Sequence, residues 1–338
     1  MHKVILLSAL CPGLPLGVSE VSGIPYEVLL LPPGKDLLER VNSLPGPAKL
    51  ETIAIVTLLT DLLESEQIVQ LKDQLPKLRL LANYAVGYNN IDIKFAQKAG
   101  ILVSNTPRVL GDATADLTFT LMLMVARRAW PGALQIHQTG SFPGWTPTYG
   151  LGTDLRGKTL GIVGLGDIGL RVSRRAFAFG MKVVALNSLQ DKSPTQPPYK
   201  CQEFVIDRLS EQDFFQRVDV LSLHCPLTSD SRGWLNDARI SSLKHGAIVI
   251  NTARGDLVDE RALADALKRE HLFGAGLDVF CGEPVLSEVL RGVPNLVVLP
   301  HLGSATVETR EAMGTLVLKN IHALISGCIS LPTQVLSS

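Results

Sequence analysis

A short apolar run, Leu160 to Val163, leads directly into Gly164-Leu165-Gly166-Asp167-Ile168-Gly169, and a helical stretch from Leu170 to Phe179 follows. Three glycines spaced G-x-G-x-x-G carry little weight alone, but in the order strand, turn, helix each has a mechanical reason. The first permits a tight turn, the second lets a pyrophosphate approach the backbone, and the third lets helix and strand pack closely. The helix start then presents its N–H groups to the phosphates. A chain that carries this feature is committed to a parallel α/β sheet and to binding a dinucleotide.

The rest of the chain supplies such sheets twice. Val4 to Ser8, Glu27 to Leu31, Thr52 to Val56, Arg79 to Asn83 and Ile101 to Ser104 read as strands. Helix-like spacing at Leu37 to Val41, Glu66 to Leu71 and Ile91 to Ala99 separates them, which argues for a parallel sheet covered on both faces. Pro107 breaks this series. Asp112 to Trp130 then reads as one long helix, acidic at its start and basic near its end, connecting two domains. Residues 131–155, rich in Gly, Pro, Thr and Trp, read as an ordered loop. A second series predicts six strands: Thr159 to Val163, Lys182 to Leu186, Val220 to Leu223, Ala247 to Asn251, Gly274 to Asp278 and Leu296 to Leu299. Val307 to Ile325 closes the chain as a helix.

Charge and cysteine content narrow the partners. Lys plus Arg and Asp plus Glu are 32 each among 338 residues, with no long run of one sign, so neither nucleic acid nor an anionic membrane surface is expected. The five cysteines (Cys11, Cys201, Cys225, Cys281, Cys328) are scattered, with no C-x-x-C pair or ligand-spaced His, and predict reduced thiols and no metal. The apolar runs Val4 to Leu10 and Leu117 to Ala126 are too short for a membrane span and predict a buried strand and a buried helix in a cytoplasmic protein.

The residue at the end of the strand after the glycine turn reads the ribose, and an Asp or Glu there favours NAD. This chain has Asn187 and Ser188 instead. Without a carboxylate to repel a 2′-phosphate, and with side chains able to donate to one, NADPH is favoured slightly over NADH. Asp167, a negative charge inside the phosphate turn, opposes that preference.

Three further segments share the second half with the glycine turn. They are Asn251-Thr252-Ala253-Arg254-Gly255; Gly276-Leu277-Asp278-Val279-Phe280 with Gly282-Glu283-Pro284; and Pro300-His301-Leu302-Gly303-Ser304. Their order and intervals resemble the D-isomer-specific 2-hydroxyacid dehydrogenases. Asn83 to Asp92 (NYAVGYNNID), Asp112 to Leu117 (DATADL) and Arg310-Glu311-Ala312-Met313 look most like the glyoxylate and hydroxypyruvate reductase branch. The resemblance spans nearly the whole chain.

The chemistry needs these residue types for its own reasons. Hydride transfer to the C2 carbonyl of a 2-oxo acid leaves an alkoxide that must be protonated, and His is the side chain suited to that near neutral pH. His301 is the candidate donor. Glu283 would orient the imidazole and favour its charged form. Arg254 offers a planar fork of donors that holds a carboxylate and polarises the adjacent carbonyl.

The resemblance implies more. It implies a flavodoxin-like substrate domain, residues 1–107 completed by a C-terminal helix within 301–338, and a Rossmann NAD(P)-binding domain over 108–300. The active site would be the cleft between them. Backbone amides at Val86 and Gly87 would hold the substrate carboxylate. Thr114 would touch the nicotinamide-side phosphate and Asp278 would accept from the carboxamide. Cys225, Pro226, Thr252 and Gly303 would line the cofactor together with the glycine turn. Homodimers are expected. The implied activity is reduction of glyoxylate or hydroxypyruvate to the D-2-hydroxy acid. A D-lactate, phosphoglycerate or phosphite dehydrogenase is the enzymatic alternative, and a non-catalytic NAD(H)-sensing corepressor on the same fold is the other, since fold alone does not fix function.

Overall fold

The structure, a computed structural model, describes residues 3–187, 198–200 and 204–336. The chain divides into two compact units, Met1–Leu110 with Ala305–Ser338, and Gly111–Ser304.

In the first unit the strands are β1 (Lys3–Leu7), β2 (Gly17–Val21), β3 (Ile24–Leu30), β4 (Thr52–Thr57), β5 (Leu80–Asn83) and β6 (Leu102–Ser104), with helices α1 (Leu37–Asn42), α2 (Gly46–Glu51), α3 (Ser65–Gln74) and α4 (Ile93–Lys98). The sheet order is β2-β3-β1-β4-β5-β6. All neighbours are parallel except β2 with β3. Without β2 this is the flavodoxin-like doubly wound order, which reverses between β1 and β4. All six residues of β4 are buried, as expected of a strand covered on both faces. Leu37 and Val41 of α1, Ile68 and Leu71 of α3, and Ala96 of α4 close over Leu6, Ile55 and Leu81.

Strand β2 was not foreseen from the sequence, because its residues are mostly exposed and carry no apolar run. It is joined to β3 by Ser22-Gly23, both with positive φ. Two such residues form the tight hairpin turn whose twist matches paired strands. The pairing also starts β3 at Ile24 rather than Glu27.

The second unit opens with α5 (Gly111–Ala126) and α6 (Ala129–Thr139). The single helix expected to reach Trp130 is in fact broken, and the loop expected from residue 131 begins as a helix. Arg128 takes a left-handed conformation, φ 50°. Pro131 has no N–H to donate one turn back, so the α5 ladder could not have continued through it. There follow β7 (Thr159–Val163), α7 (Asp167–Ala178), β8 (Lys182–Leu186), β9 (Tyr199–Lys200), β10 (Val205–Leu209), α8 (Glu211–Arg217), β11 (Val220–Leu223), α9 (Asp237–Ser242), β12 (Ala247–Asn251), α10 (Glu260–Lys268), β13 (Leu272–Leu277) and β14 (Leu296–Val298).

Among the described residues this sheet has eight strands, not the six expected, in the order β14-β13-β12-β11-β7-β8-β10-β9. The additions, β9 and β10, form one edge. Counting from β7 along the chain and omitting β9, β10 is the third strand and β13 the sixth, so the order 3-2-1-4-5-6 of the dinucleotide-binding fold results, with β14 added beyond β13 as a seventh strand. Alternate residues of one strand point to opposite faces. Thus Leu221 and Val249 pack with Phe214, Ile240 and Leu263. Their neighbours Val220 and Ile248 pack with Phe119, Leu121 and Val172. Helix α11 (Val307–Ile325) returns to the first unit, contacts β5 and buries Met313, Val317 and Ile321.

Candidate active site

In the second unit the strand order reverses between β7 and β11, and in open α/β sheets ligands bind outside the strand ends at such a point. The glycine turn lies there. Gly164 has φ 96°, and a Cβ on it would stand 2.5 Å from the Cys225 nitrogen. A Cβ on Gly169 would overlap the Gly164 carbonyl oxygen, so the helix start fits against the strand only without a side chain. At Gly166 a Cβ would meet nothing within 4 Å. Two glycines are therefore required by the protein itself, and the middle one faces open space beside the start of α7. These residues fit a dinucleotide: a bare backbone surface, a twelve-residue helix beginning at Asp167 and a neighbouring strand end at Cys225.

Asp167 is the first residue of α7. Its carboxylate accepts from Arg171 Nε at 3.1 Å, and Arg171 also pairs with Asp112. Arg175 holds Asp116 at 2.7 Å and Asp112 at 3.3 Å. The negative charge in the turn thus belongs to an ion-pair network joining α5 to α7. Ile168 packs into the core beneath.

The ends of β12, β13 and β14, adjacent in the sheet, carry the catalytic candidates. After β12, the Asn251 amide donates to the Arg254 carbonyl at 2.8 Å and its oxygen accepts from the Ala253 N–H at 3.0 Å, which folds the Arg254 turn back on the strand. Arg254 donates to the Ala253 carbonyl at 2.6 Å. Burial lowers its pKa, and the charge of Glu283 opposes that effect.

After β13, Asp278 is buried and accepts from Leu302 N–H at 2.7 Å and Gly303 N–H at 2.8 Å, while its carbonyl accepts from His301 N–H at 2.9 Å. This three-bond clamp sustains a left-handed His301, φ 56°, a conformation that non-glycine residues adopt only where their surroundings impose it. Burial raises the Asp278 pKa against the two N–H donors and the nearby His301. The family resemblance implies a cofactor contact for Asp278; in the structure its carboxylate and carbonyl anchor the histidine turn.

His301 Nδ1 meets Glu283 Oε2 at 2.8 Å. Burial would raise the Glu283 pKa, but the hydrogen bond and charge of His301, the Phe280 N–H and the Arg254 charge outweigh it, and the carboxyl titrates below its usual range. Glu283 is therefore ionised and takes a hydrogen bond from Nδ1, leaving Nε2 to exchange a proton with a ligand.

The remaining candidates divide. Thr114 donates to the Gly303 carbonyl at 3.0 Å, and Thr118 and Thr252 share a hydrogen bond at 3.0 Å, so α5 is tied to both the His301 turn and the Arg254 turn. Thr118 was missed by sequence reasoning, and only its helical spacing from Thr114 could have found it. Cys225 is buried beside Gly164 and its thiol is pushed up to about 11 by burial, which suits packing and not nucleophilic attack. The Pro226 carbonyl accepts from Ser231 at 2.8 Å. Asn187 directly follows β8 and donates its backbone N–H to the Leu209 carbonyl at 3.0 Å. Ser188 lies outside the described residues.

Val86 and Gly87 belong to the first unit, in the loop after β5. The Val86 carbonyl accepts from Asn105 at 2.8 Å and the Gly87 carbonyl from Asn83 at 2.7 Å. In a planar trans peptide the N–H points away from the carbonyl, so these two asparagines also fix the direction of the Gly87 and Tyr88 N–H groups.

Residues 119–303 match the model of the D-isomer specific 2-hydroxyacid dehydrogenase NAD binding domain. A glyoxylate reductase from Thermococcus litoralis is 44% identical over 299 residues, covering 88% of this chain and 85% of that protein. A crystal structure of a protein from Thermus thermophilus superposes with a TM-score of 0.82 at 34% identity, covering 99% of this chain and 100% of that one. An NADPH-dependent glyoxylate/hydroxypyruvate reductase from Sinorhizobium meliloti, solved with NADP and malonate, gives a TM-score of 0.75 at 29% identity over 98% of this chain and 96% of that one. With the glycine turn at the sheet's reversal point and Arg254, Glu283 and His301 on three neighbouring strand ends, this chain belongs to the D-isomer-specific 2-hydroxyacid dehydrogenase family.

Proposed function

We propose that the protein reduces a small 2-oxo acid, glyoxylate or hydroxypyruvate, to the D-2-hydroxy acid, with His301 as proton donor. The observation that carries this reading is the 2.8 Å pair of His301 with an ionised Glu283, set on a strained turn by Asp278. A reduced nicotinamide, when bound, supplies the hydride that C2 of the substrate receives. Arg254 holds the substrate carboxylate and draws electron density from the adjacent carbonyl. His301 Nε2 gives its proton to the C2 oxygen as that oxygen gains charge, while Glu283 holds the ring through Nδ1.

NADPH is the favoured reductant on this reading, because Asn187 is uncharged where NAD enzymes place a carboxylate. We also take the protein to be a cytoplasmic homodimer. Helix α6 buries none of its residues, and Ile136, Phe142, Trp145 and Leu151 on it and the following loop are exposed, 83% for Trp145. Apolar surface of that kind marks an interaction site, and light scattering at micromolar concentration would return twice the mass of one chain.

Absorbance loss at the reduced-nicotinamide band, with glyoxylate, hydroxypyruvate and pyruvate each run against NADPH and NADH, tests the whole reading. Fast oxidation with either of the first two, and higher kcat/KM with NADPH, is expected. Tight nucleotide binding without oxidation would instead make the protein a sensor.

A further inference from the structure

The Phe280–Cys281 peptide is gripped on several sides. Phe280 N–H donates to Glu283 Oε1 at 3.1 Å, and Cys281 N–H donates to Glu260 Oε1 at 2.7 Å. Gly255, the residue after Arg254, lies so close that a Cβ on it would overlap the Phe280 carbonyl carbon and stand 2.6 Å from the Cys281 nitrogen. The second oxygen of Glu260 accepts from the Ser287 hydroxyl at 2.7 Å. Glu260 thus holds the chain on both sides of Glu283, at residues 281 and 287. It is the first residue of α10, but the helix is already capped by Asp259, which accepts from Arg261 and Ala262 N–H. The Glu260 carboxylate is thus directed at the loop and not at its own helix.

We propose that Glu260 is a positioning residue for the proton-donor pair: by fixing Cys281 and Ser287 it sets Glu283 where its carboxylate meets His301. This rests on the reading of His301 as proton donor. The charged groups facing the pair are Arg254, toward Glu283, and Asp278, toward His301; Asp256 and Arg232 lie on the Cys281 side. The Cys281 thiol, pushed up to about 12 by burial and by Glu260, stays protonated and competes for no proton in this range.

The test is the pH profile of kcat/KM for 2-oxo acid reduction in the full-length enzyme, measured for wild type, Glu283→Gln, Glu260→Ala, Glu260→Gln and Ser287→Ala. Reduction needs a protonated donor, so activity falls on the alkaline side, and loss of the stabilising carboxylate moves that midpoint to lower pH. Glu283→Gln moves it most. Glu260→Ala moves it the same way, with kcat down about tenfold and KM for cofactor unchanged, since displacement of a catalytic group by a fraction of an ångström is costly. Glu260→Gln stays within about threefold of wild type, because its amide oxygen still accepts from Cys281 and its NH2 donates to the Ser287 oxygen.

A wild-type midpoint in Glu260→Ala, with the Glu283→Gln midpoint moved, overturns the inference and leaves the proton-donor reading intact. So does equal damage in Glu260→Gln and Glu260→Ala. An unmoved midpoint in Glu283→Gln overturns the proton-donor reading and this inference with it. If Glu260→Ala cannot be recovered folded, Ser287→Ala decides: a smaller shift in the same direction supports the inference, and none overturns it.

Discussion

The two units use the same sheet logic and differ in the turn that leaves their first parallel strand. After β7 the chain makes three glycines' worth of turn and enters a helix at once, so bare N–H groups stand at the sheet's reversal point. After β1 it makes a longer excursion through Cys11-Pro12-Gly13, then adds the β2 hairpin, and no helix begins there. Both turns are tight. Gly13, φ 77°, would place a Cβ 2.6 Å from the Glu311 carbonyl oxygen, and the Tyr84 hydroxyl donates to the Pro12 and Arg310 carbonyls of the same cluster. In the first unit the closeness joins a loop to a helix of the protein; in the second it leaves a surface for something else. A doubly wound sheet becomes a nucleotide site only where its turn is left unfilled and a helix N-terminus faces it.

The largest effect should come from the chemistry that the second unit adds to that surface. Arg254→Ala is expected to cost about 3–5 kcal/mol in kcat/KM, because a buried substrate carboxylate loses its partner. Steady-state kinetics with glyoxylate check this, and a loss below tenfold would remove Arg254 from the site. His301→Asn should lower kcat by about 10²–10⁴ while cofactor affinity, read by fluorescence titration, is kept. Equal loss of both would mean a collapsed turn around Asp278 and not a missing proton.

The glycines sharpen the contrast between units directly. Gly164→Ala forces a side chain into a left-handed backbone against the Cys225 nitrogen, and should weaken nucleotide binding by about 100-fold. Gly13→Ala meets an equally close carbonyl, and should lower stability by about 1–3 kcal/mol with nucleotide affinity unchanged. Paired calorimetry and thermal melts on both variants decide it. If Gly13→Ala also lost nucleotide, the two turns would not have separate roles.

How much of this was legible depended on whether a feature is local. The turn from Gly164 to Gly169, the buried strands and α11 are written in contiguous residues, and Val307 to Ile325 falls where the structure has it. Strands β2 and β9 stand at sheet edges and β10 lies next to the edge with only Ile206 buried, so no apolar run is needed in them. The break between α5 and α6 at Arg128 was not legible, because Arg127 and Arg128 read as the basic end of one helix reaching Trp130. Arg254, Glu283 and His301 were found by their motifs. The contacts that hold them were not: Asp278 as the anchor of His301, Thr118 with Thr252, and Glu260 across 21 residues from Cys281 are pairings that only the folded sheet makes. Ser188 remains outside the described residues.

Acid should also act on the second unit's pair before it touches the first unit's turn. Glu283 titrates lower in the folded chain than its unfolded value of about 4.3, so the pair stabilises the fold above that value. The contribution is lost as pH falls through the lower folded value. Thermal melts from pH 6 to pH 3 should show Glu283→Gln losing less stability than wild type below about pH 4.5. Parallel curves would mean that the 2.8 Å contact contributes nothing to the fold.

The smallest effect should come from Asp167, the one residue of the turn whose charge opposes its use. If the charge acted alone at the N-terminus of α7, its removal would strengthen binding of an anionic cofactor substantially. Yet Arg171 already accompanies it at 3.1 Å, and Arg171 and Arg175 together face Asp112, Asp116 and Asp167, so the network holds more negative than positive charge. Asp167→Asn frees Arg171 from one partner without freeing it from Asp112. Affinity for NADPH should therefore rise only about two- to fivefold, within the range of an exposed charge near a helix end. The gain should shrink as salt is raised from about 50 to about 500 mM, because the groups involved are solvated. A gain that persists at high salt would show that Asp167 blocks the phosphates sterically, and the second unit's turn would then be partly filled, as the first unit's is.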